Sequence, residues 1–160
     1  MKKLKIGIIG LGYWGNNFLR IINEFDKSFE LTSVVDSNKD LLKKFANENV
    51  DIFDNVNNLL SSKTQIDCAI ISTNTEYHYS ITKLLLENGI HCLVEKPLTT
   101  SVDEANELYE ISERNNIELF VDHTFLYDQS ILELKKIIDE GELGKILHIS
   151  FERTNLGPIR

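Results

Sequence analysis

Glycines stand at positions 10, 12 and 15, and an aspartate, Asp36, follows 21 residues after Gly15. Gly10 permits a tight turn. Gly12, with no Cβ, lets the backbone approach a large anion, and Gly15 lets a helix pack closely on a strand. An acid at that distance suits hydrogen bonding to ribose hydroxyls. A second group is Glu95-Lys96-Pro97. Proline disfavours the helical conformation for Lys96 and holds it extended. A lysine partly desolvated beside a cofactor can act as a general acid or base. A solvated lysine paired with Glu95 is the ordinary alternative, and spacing alone leaves both open.

The chemistry depends on the elements that carry these residues. Apolar runs alternate with helical patterns along the chain, and strands are expected at 4–9, 30–35, 50–53, 67–72, 90–94 and 117–122. Short continuous runs such as Cys68-Ala69-Ile70-Ile71 suit strands covered on both faces, as in a parallel sheet. Repeated strand–helix units imply right-handed crossovers and an α/β fold, a Rossmann-type doubly wound parallel sheet. Lys5 to Ile9 then lead straight into the glycine loop and an amphipathic helix, and Asp36 closes the second strand. In that context the glycines and the acid form a dinucleotide-binding fingerprint, with the pyrophosphate at the helix N-terminus.

The helix stripe Trp14, Phe18, Ile22 and Phe25 is expected to face the sheet. Tyr13 is expected to flank the pyrophosphate, and Trp14 to pack under the helix. Ser37 and Asp40 are candidate caps for a helix at 38–48, and Ser101-Val102-Asp103-Glu104 reads as a capping box for a helix to about residue 115. Gly89 and Gly141 follow helices as C-terminal caps do. Leu147, Ile149 and Phe151 alternate with polar residues and predict a strand over 145–153 with one covered face. It must pack on the first domain, pair with another chain in a homo-oligomer, or stay disordered; pairing or disorder is expected. The predicted division is a nucleotide-binding domain at 1–124, then a connecting helix and the start of a second α+β domain at 125–160.

Composition excludes several partners. A formal charge of −8 argues against nucleic acid or an anionic membrane. No apolar run reaches the roughly 20 residues that span a bilayer. The apolar start is broken by glycines and lacks a cleavage site, so a cytoplasmic location is expected. Cys68 and Cys92 lack C-x-x-C spacing and read as reduced core thiols, with no metal site.

Three blocks resemble, in order, the Gfo/Idh/MocA oxidoreductases. Gly10 to Gly15 looks like the family's nucleotide loop. Ser72-Thr73-Asn74-Thr75-Glu76-Tyr77-His78 is similar to its Thr-Pro-Asn-x-x-His segment, and Glu95-Lys96-Pro97 looks like its hallmark motif. Gly141 to Ile146 resembles its entry into a second domain. The resemblance implies NAD(P)-dependent hydride transfer to or from a sugar, cyclitol or nucleotide-sugar carbon. It makes Lys96 the catalytic candidate. Gly10, Gly12, Tyr13, Trp14, Gly15, Asp36, Thr73, Asn74, His78, Glu95 and Lys96 become the candidate cofactor contacts. His78 either touches the cofactor or fixes its loop. His123 is a weaker candidate for the cleft, while His91 and His148 read as structural and solvated. Asp36 predicts NAD over NADP, because its charge repels a 2′-phosphate and Ser37 and Asn38 offer no cation.

Two departures stand out. Asn74 occupies the family's usual proline position. The family's second domain, with its Asp…His pair and substrate walls, is absent from the 160 residues. The reading therefore predicts a truncated chain that binds cofactor and is inactive alone. The tail Asn155-Leu156-Gly157-Pro158-Ile159-Arg160 is similar to nucleotide-sugar 3-dehydrogenase-like members. Two other classes pair a glycine loop with an acid: non-enzymatic NAD(H)-sensing regulatory domains and S-adenosylmethionine methyltransferases. A sensor has no reason to carry Glu-Lys-Pro after the fifth strand.

Overall fold

The structure, a computed structural model, describes residues 2–152 and 154. Strands β1 (Leu4–Ile9), β2 (Phe29–Val35), β3 (Asp51–Phe53), β4 (Cys68–Ile71), β5 (His91–Val94) and β6 (Leu119–Val121) form one sheet. Their order is β3-β2-β1-β4-β5-β6, and every pairing is parallel. All six expected strands are present. The order reverses between β1 and β4, where such sheets open a crevice beyond the carboxyl ends of their strands.

Helices α1 (Tyr13–Glu24), α2 (Lys39–Leu42), α3 (Val56–Leu60), α4 (Thr75–Glu87), α5 (Val102–Asn115) and α6 (Gln129–Asp139) complete the chain. The core lies in two layers, one on each sheet face. In one, Val56 and Leu59 of α3, Leu85 and Leu86 of α4 and Leu108 and Ile111 of α5 cover Ile9, Val35, Ile71 and Val94. In the other, Phe18, Leu19 and Ile22 of α1, with Leu42 and Phe45, cover Ile6, Ile8, Val34 and Ile70. The period-two alternation of strand side chains divides neighbouring apolar residues between the layers, so a continuous apolar run is needed. It also separates the thiols. Cys92 belongs to the first layer and Cys68 packs against the second, and both are free. Burial pushes the Cys68 thiol up to about 11 and the Cys92 thiol higher still.

Several local expectations are corrected. The buried face of α1 is Gly15, Phe18, Leu19 and Ile22. Trp14 stays 37% exposed and meets Tyr13 edge-on at 5.2 Å, while Phe25, past the helix end, is 56% exposed. Gly15 and Leu19 turn the buried face away from Trp14, and Phe25 lies beyond the last helical residue. The expected helix at 38–48 is a single turn of α-helix followed by a 3₁₀ turn at Lys43–Phe45. Its cap is Asn38, whose side chain accepts from the Asp40 N–H at 3.0 Å, and not Ser37 or Asp40. α5 starts at Ser101 as expected, but the Ser101 side chain makes no capping bond. Gly89 and Gly141 take positive φ, 76° and 73°, just beyond α4 and α6.

The chain divides into two compact units, Met1–His123 and Thr124–Arg160. The second contains a 3₁₀ turn at Thr124–Tyr127 and α6, capped by Asp128, whose carboxylate accepts from the Ser130 and Ile131 N–H groups at 2.9 and 3.3 Å. The strand expected at 145–153 is not formed among the described residues, and Leu147, Ile149 and Phe151 are exposed. A strand needs a neighbour to take its backbone hydrogen bonds, and none pairs with 145–152. Arg153 and the tail Asn155 to Arg160 lie outside the described residues.

Candidate functional site

The loop between β1 and α1 is built around close approaches. Gly10 has φ +92°, and a Cβ there would meet the Ser72 backbone at 2.7 Å. A Cβ on Gly15 would lie 2.0 Å from the Gly10 carbonyl oxygen. Gly12 differs: a Cβ there would meet nothing within 4 Å. Its bare side faces open space at the start of α1, where no side chain caps the helix and the first turn holds no acid. Unpaired N–H groups and the positive end of a helix suit a phosphate. The loop therefore fits a pyrophosphate on geometry alone.

Asp36 directly follows β2, beside this loop. One carboxylate oxygen accepts from the Leu11 N–H and the other from the Asn38 N–H, each at 2.7 Å. Each oxygen retains a further lone pair for a ribose hydroxyl. A cleft of about 870 Å³ joins Gly10, Gly12 and Asp36 to Thr73, Asn74 and Tyr77. Its lining adds Asn38, which sequence reading named only as offering no cation, and Leu41, Asp54, Asn55 and Val56, which it did not single out. The signal available was their position, directly after β2 and β3, at the carboxyl edge of the sheet. Asn74 has φ −66° at the start of α4. That is the angle proline imposes, so the departure from proline leaves the backbone path unchanged.

The remaining candidates lie outside that cleft. Tyr13 is 73% exposed, and neither it nor Trp14 lines the cleft; Gly15 is buried in the packing. Lys96 is exposed, not desolvated, and the Lys96–Pro97 peptide is cis. Glu95 contacts Lys96 through the backbone, its carboxylate accepting from the Lys96 N–H at 3.1 Å. Glu95 is 6% exposed, and burial pushes its carboxyl above the usual range. The charge of Asp122 adds to this, since Glu95 and Asp122 each follow a member of the Val94↔Val121 pair. His78 is buried, with Nδ1 2.8 Å from the Pro97 carbonyl and Nε2 3.1 Å from the Thr73 carbonyl. His123 is exposed, and His91 accepts at Nδ1 from the Glu118 N–H at 3.0 Å, a structural role. No group of metal-ligating side chains occurs among the described residues, and none of their helices is long and apolar enough to cross a membrane.

Residues 4–123 match the model of the Gfo/Idh/MocA oxidoreductases, described as an NAD-binding Rossmann fold. The chain belongs to this oxidoreductase family. Its first unit is thus an NAD-binding domain with the strand order and glycine loop of that class. Inositol 2-dehydrogenase of Salmonella typhimurium is 27% identical over 162 residues, which cover 98% of this chain and 47% of the relative. The NADP(+)-linked scyllo-inositol 2-dehydrogenase of Bacillus subtilis is 26% identical over 155 residues, 94% of this chain and 42% of that protein. The WlbA dehydrogenase of Bordetella pertussis, solved with NADH and UDP-GlcNAcA, superposes with a TM-score of 0.83 at 22% identity, over 89% of this chain and 44% of the other. At that identity it shows the fold. The chain spans under half the length of each.

Proposed function

We propose that the chain is the NAD-binding portion of a dehydrogenase that moves a hydride between nicotinamide and a sugar, cyclitol or nucleotide-sugar carbon. The observation that carries this reading is the exposed Lys96 at the carboxyl end of β5, tied through Pro97 and His78 to the wall of the dinucleotide cleft. Asp36 holds the adenosine ribose, and the N–H groups at Gly12 and the start of α1 hold the pyrophosphate. Thr73 and Asn74 line the path to the second half of the cofactor. Lys96 donates to, or takes a proton from, the reacting hydroxyl, and Glu95 fixes the Lys96 backbone. When bound, the nicotinamide accepts or supplies the hydride. The names of the inositol and nucleotide-sugar relatives support the substrate class.

The 160-residue chain binds NAD(H) but turns over no sugar at a meaningful rate. One exposed lysine does not hold a sugar at hydride distance, and a misplacement of about 1 Å costs on the order of a hundredfold. The segments 1–124 and 125–160 of the sequence-based division serve as nucleotide domain and entry to a substrate domain, and the apolar residues of 145–152 pair with a second chain. Trp14 is the single tryptophan and stands in the first turn of α1, next to the glycine loop, so its fluorescence reports binding. NADH is expected to quench it, and S-adenosylmethionine to leave it unchanged. Binding of S-adenosylmethionine, or no NADH binding by calorimetry, refutes the reading. Steady NADH production from NAD and a sugar panel refutes the inactivity of the chain alone.

A further inference from the structure

The two loops beyond β4 and β5 share one buried side chain. The ladder between these strands ends with the Glu95 N–H donating to the Ile71 carbonyl at 2.9 Å. Past that bond the chains diverge, one into Ser72-Thr73-Asn74 and the other into Lys96-Pro97-Leu98. His78, on the first turns of α4, fills the space between them at 1% exposure. Its Nδ1 is 2.8 Å from the Pro97 carbonyl and its Nε2 is 3.1 Å from the Thr73 carbonyl. Carbonyl oxygens only accept and a neutral imidazole carries one N–H, so the ring donates to one of the two carbonyls; the shorter approach, at Nδ1, is to Pro97. With each nitrogen against a loop carbonyl and the ring sealed from solvent, no edge of it is free to meet a cofactor.

Topology assigns these two loops to one half of a dinucleotide. Asp36 and the residues after β3 lie on the β2–β3 side of the switch point, and the bare Gly12 lies at the switch itself. A cofactor with its adenosine ribose on Asp36 and its pyrophosphate at Gly12 extends over β4 and β5. Thr73 and Lys96 are the residues that follow those strands.

We propose that His78 is a positioning residue, clamping the Lys96–Pro97 turn to the Thr73 loop so that the chain is shaped for the nicotinamide half of the cofactor. This rests on the NAD reading above. A clamp of this kind acts on one half of the ligand, whereas a residue needed only for the fold acts on both.

ADP-ribose, which lacks only the nicotinamide, separates these cases. Calorimetric titration of the 160-residue chain with NADH and with ADP-ribose is expected to show binding of both. His78→Ala is expected to weaken NADH about tenfold, the scale of one or two hydrogen bonds, and to change ADP-ribose by less than about twofold. In His78→Asn the amide reaches the place of Nδ1 and keeps the Pro97 bond, so NADH affinity is largely restored. In His78→Gln the amide reaches the place of Nε2, leaves Pro97 free and does not restore it. Equal loss of both ligands, loss of ADP-ribose through misfolding, unchanged NADH affinity, or equal rescue by Gln and Asn overturns the proposal. If the unsubstituted chain binds neither ligand, the NAD reading itself fails, and the inference with it.

Discussion

Gly12 and Gly15 lie in one loop, and their substitution should fail in opposite ways. At Gly12 a Cβ meets nothing within 4 Å, and the backbone has φ −67° and ψ −157°, which any residue adopts. Gly12→Val should therefore fold as well as the parent. Its two methyls fill the open space before α1 and bar a phosphate from the helix N–H groups. Hydrogen bonds to a charged group contribute about 1.5–3 kcal/mol each, so losing two removes roughly 3–6 kcal/mol, or about 10²- to 10⁴-fold in NADH affinity. At Gly15 a Cβ would lie 2.0 Å from the Gly10 carbonyl oxygen and 3.2 Å from Ser72 Oγ. Contacts below 3.0 Å are not tolerated, so the loop must move by about 1 Å (3.0 − 2.0). Overpacking of this kind costs about 1–3 kcal/mol or more. For a domain of this size each kcal/mol lowers Tm by roughly 2–8 °C. Circular dichroism melts and NADH calorimetry on both variants check this. A folded Gly12→Val that binds NADH normally, or a Gly15→Ala with unchanged Tm, refutes the assignment of roles within the loop.

Wild-type chain should prefer NAD(H) over NADP(H), and Asp36→Ala should reduce that preference about tenfold or more while weakening NAD itself, because the Leu11 and Asn38 N–H groups lose their acceptor. Calorimetry with both cofactors decides it; tighter NADP binding by the parent, or an unchanged ratio in the variant, removes Asp36 from the selection. Glu95 has a folded pKa above its unfolded value, chiefly through burial, so the native state retains a proton that the unfolded chain has released. Its contribution is complete below the ordinary carboxyl range and is lost as pH rises through the folded value. Glu95→Gln should flatten that loss in urea midpoints measured upward from the ordinary carboxyl range; an unaltered slope contradicts the assignment. Burial of both thiols predicts that Cys68 and Cys92 react slowly with a thiol reagent at mildly alkaline pH in the native chain and at ordinary rates in denaturant. Rapid native labelling of both contradicts this.

The sequence by itself determined the six strands, their parallel pairing and the glycine loop with Asp36 at its side. These are local: each rests on an apolar run, a glycine spacing or a residue a few positions past a strand. The same holds for Gly89 and Gly141, which mark helix ends because positive φ is cheap for glycine. Tertiary structure decided what depends on distant partners. The capping-box spacing at Ser101 brought no side-chain bond, and Asn38, not Ser37, caps α2, because caps turn on small changes of backbone direction. The alternation at 145–153 makes no strand, since period two describes a face to be covered and does not supply the neighbour. The sequence left His78 between two roles. Burial among the Thr73 and Pro97 carbonyls, 5 and 19 residues away, decided that its nitrogens face the loops. Asp54, Asn55 and Tyr77 entered the cleft only because the sheet sets the ends of β3 and β4 on either side of β1 and β2. Spacing can name the residue types that fit a dinucleotide, but only the packed sheet sets which side chains share its walls.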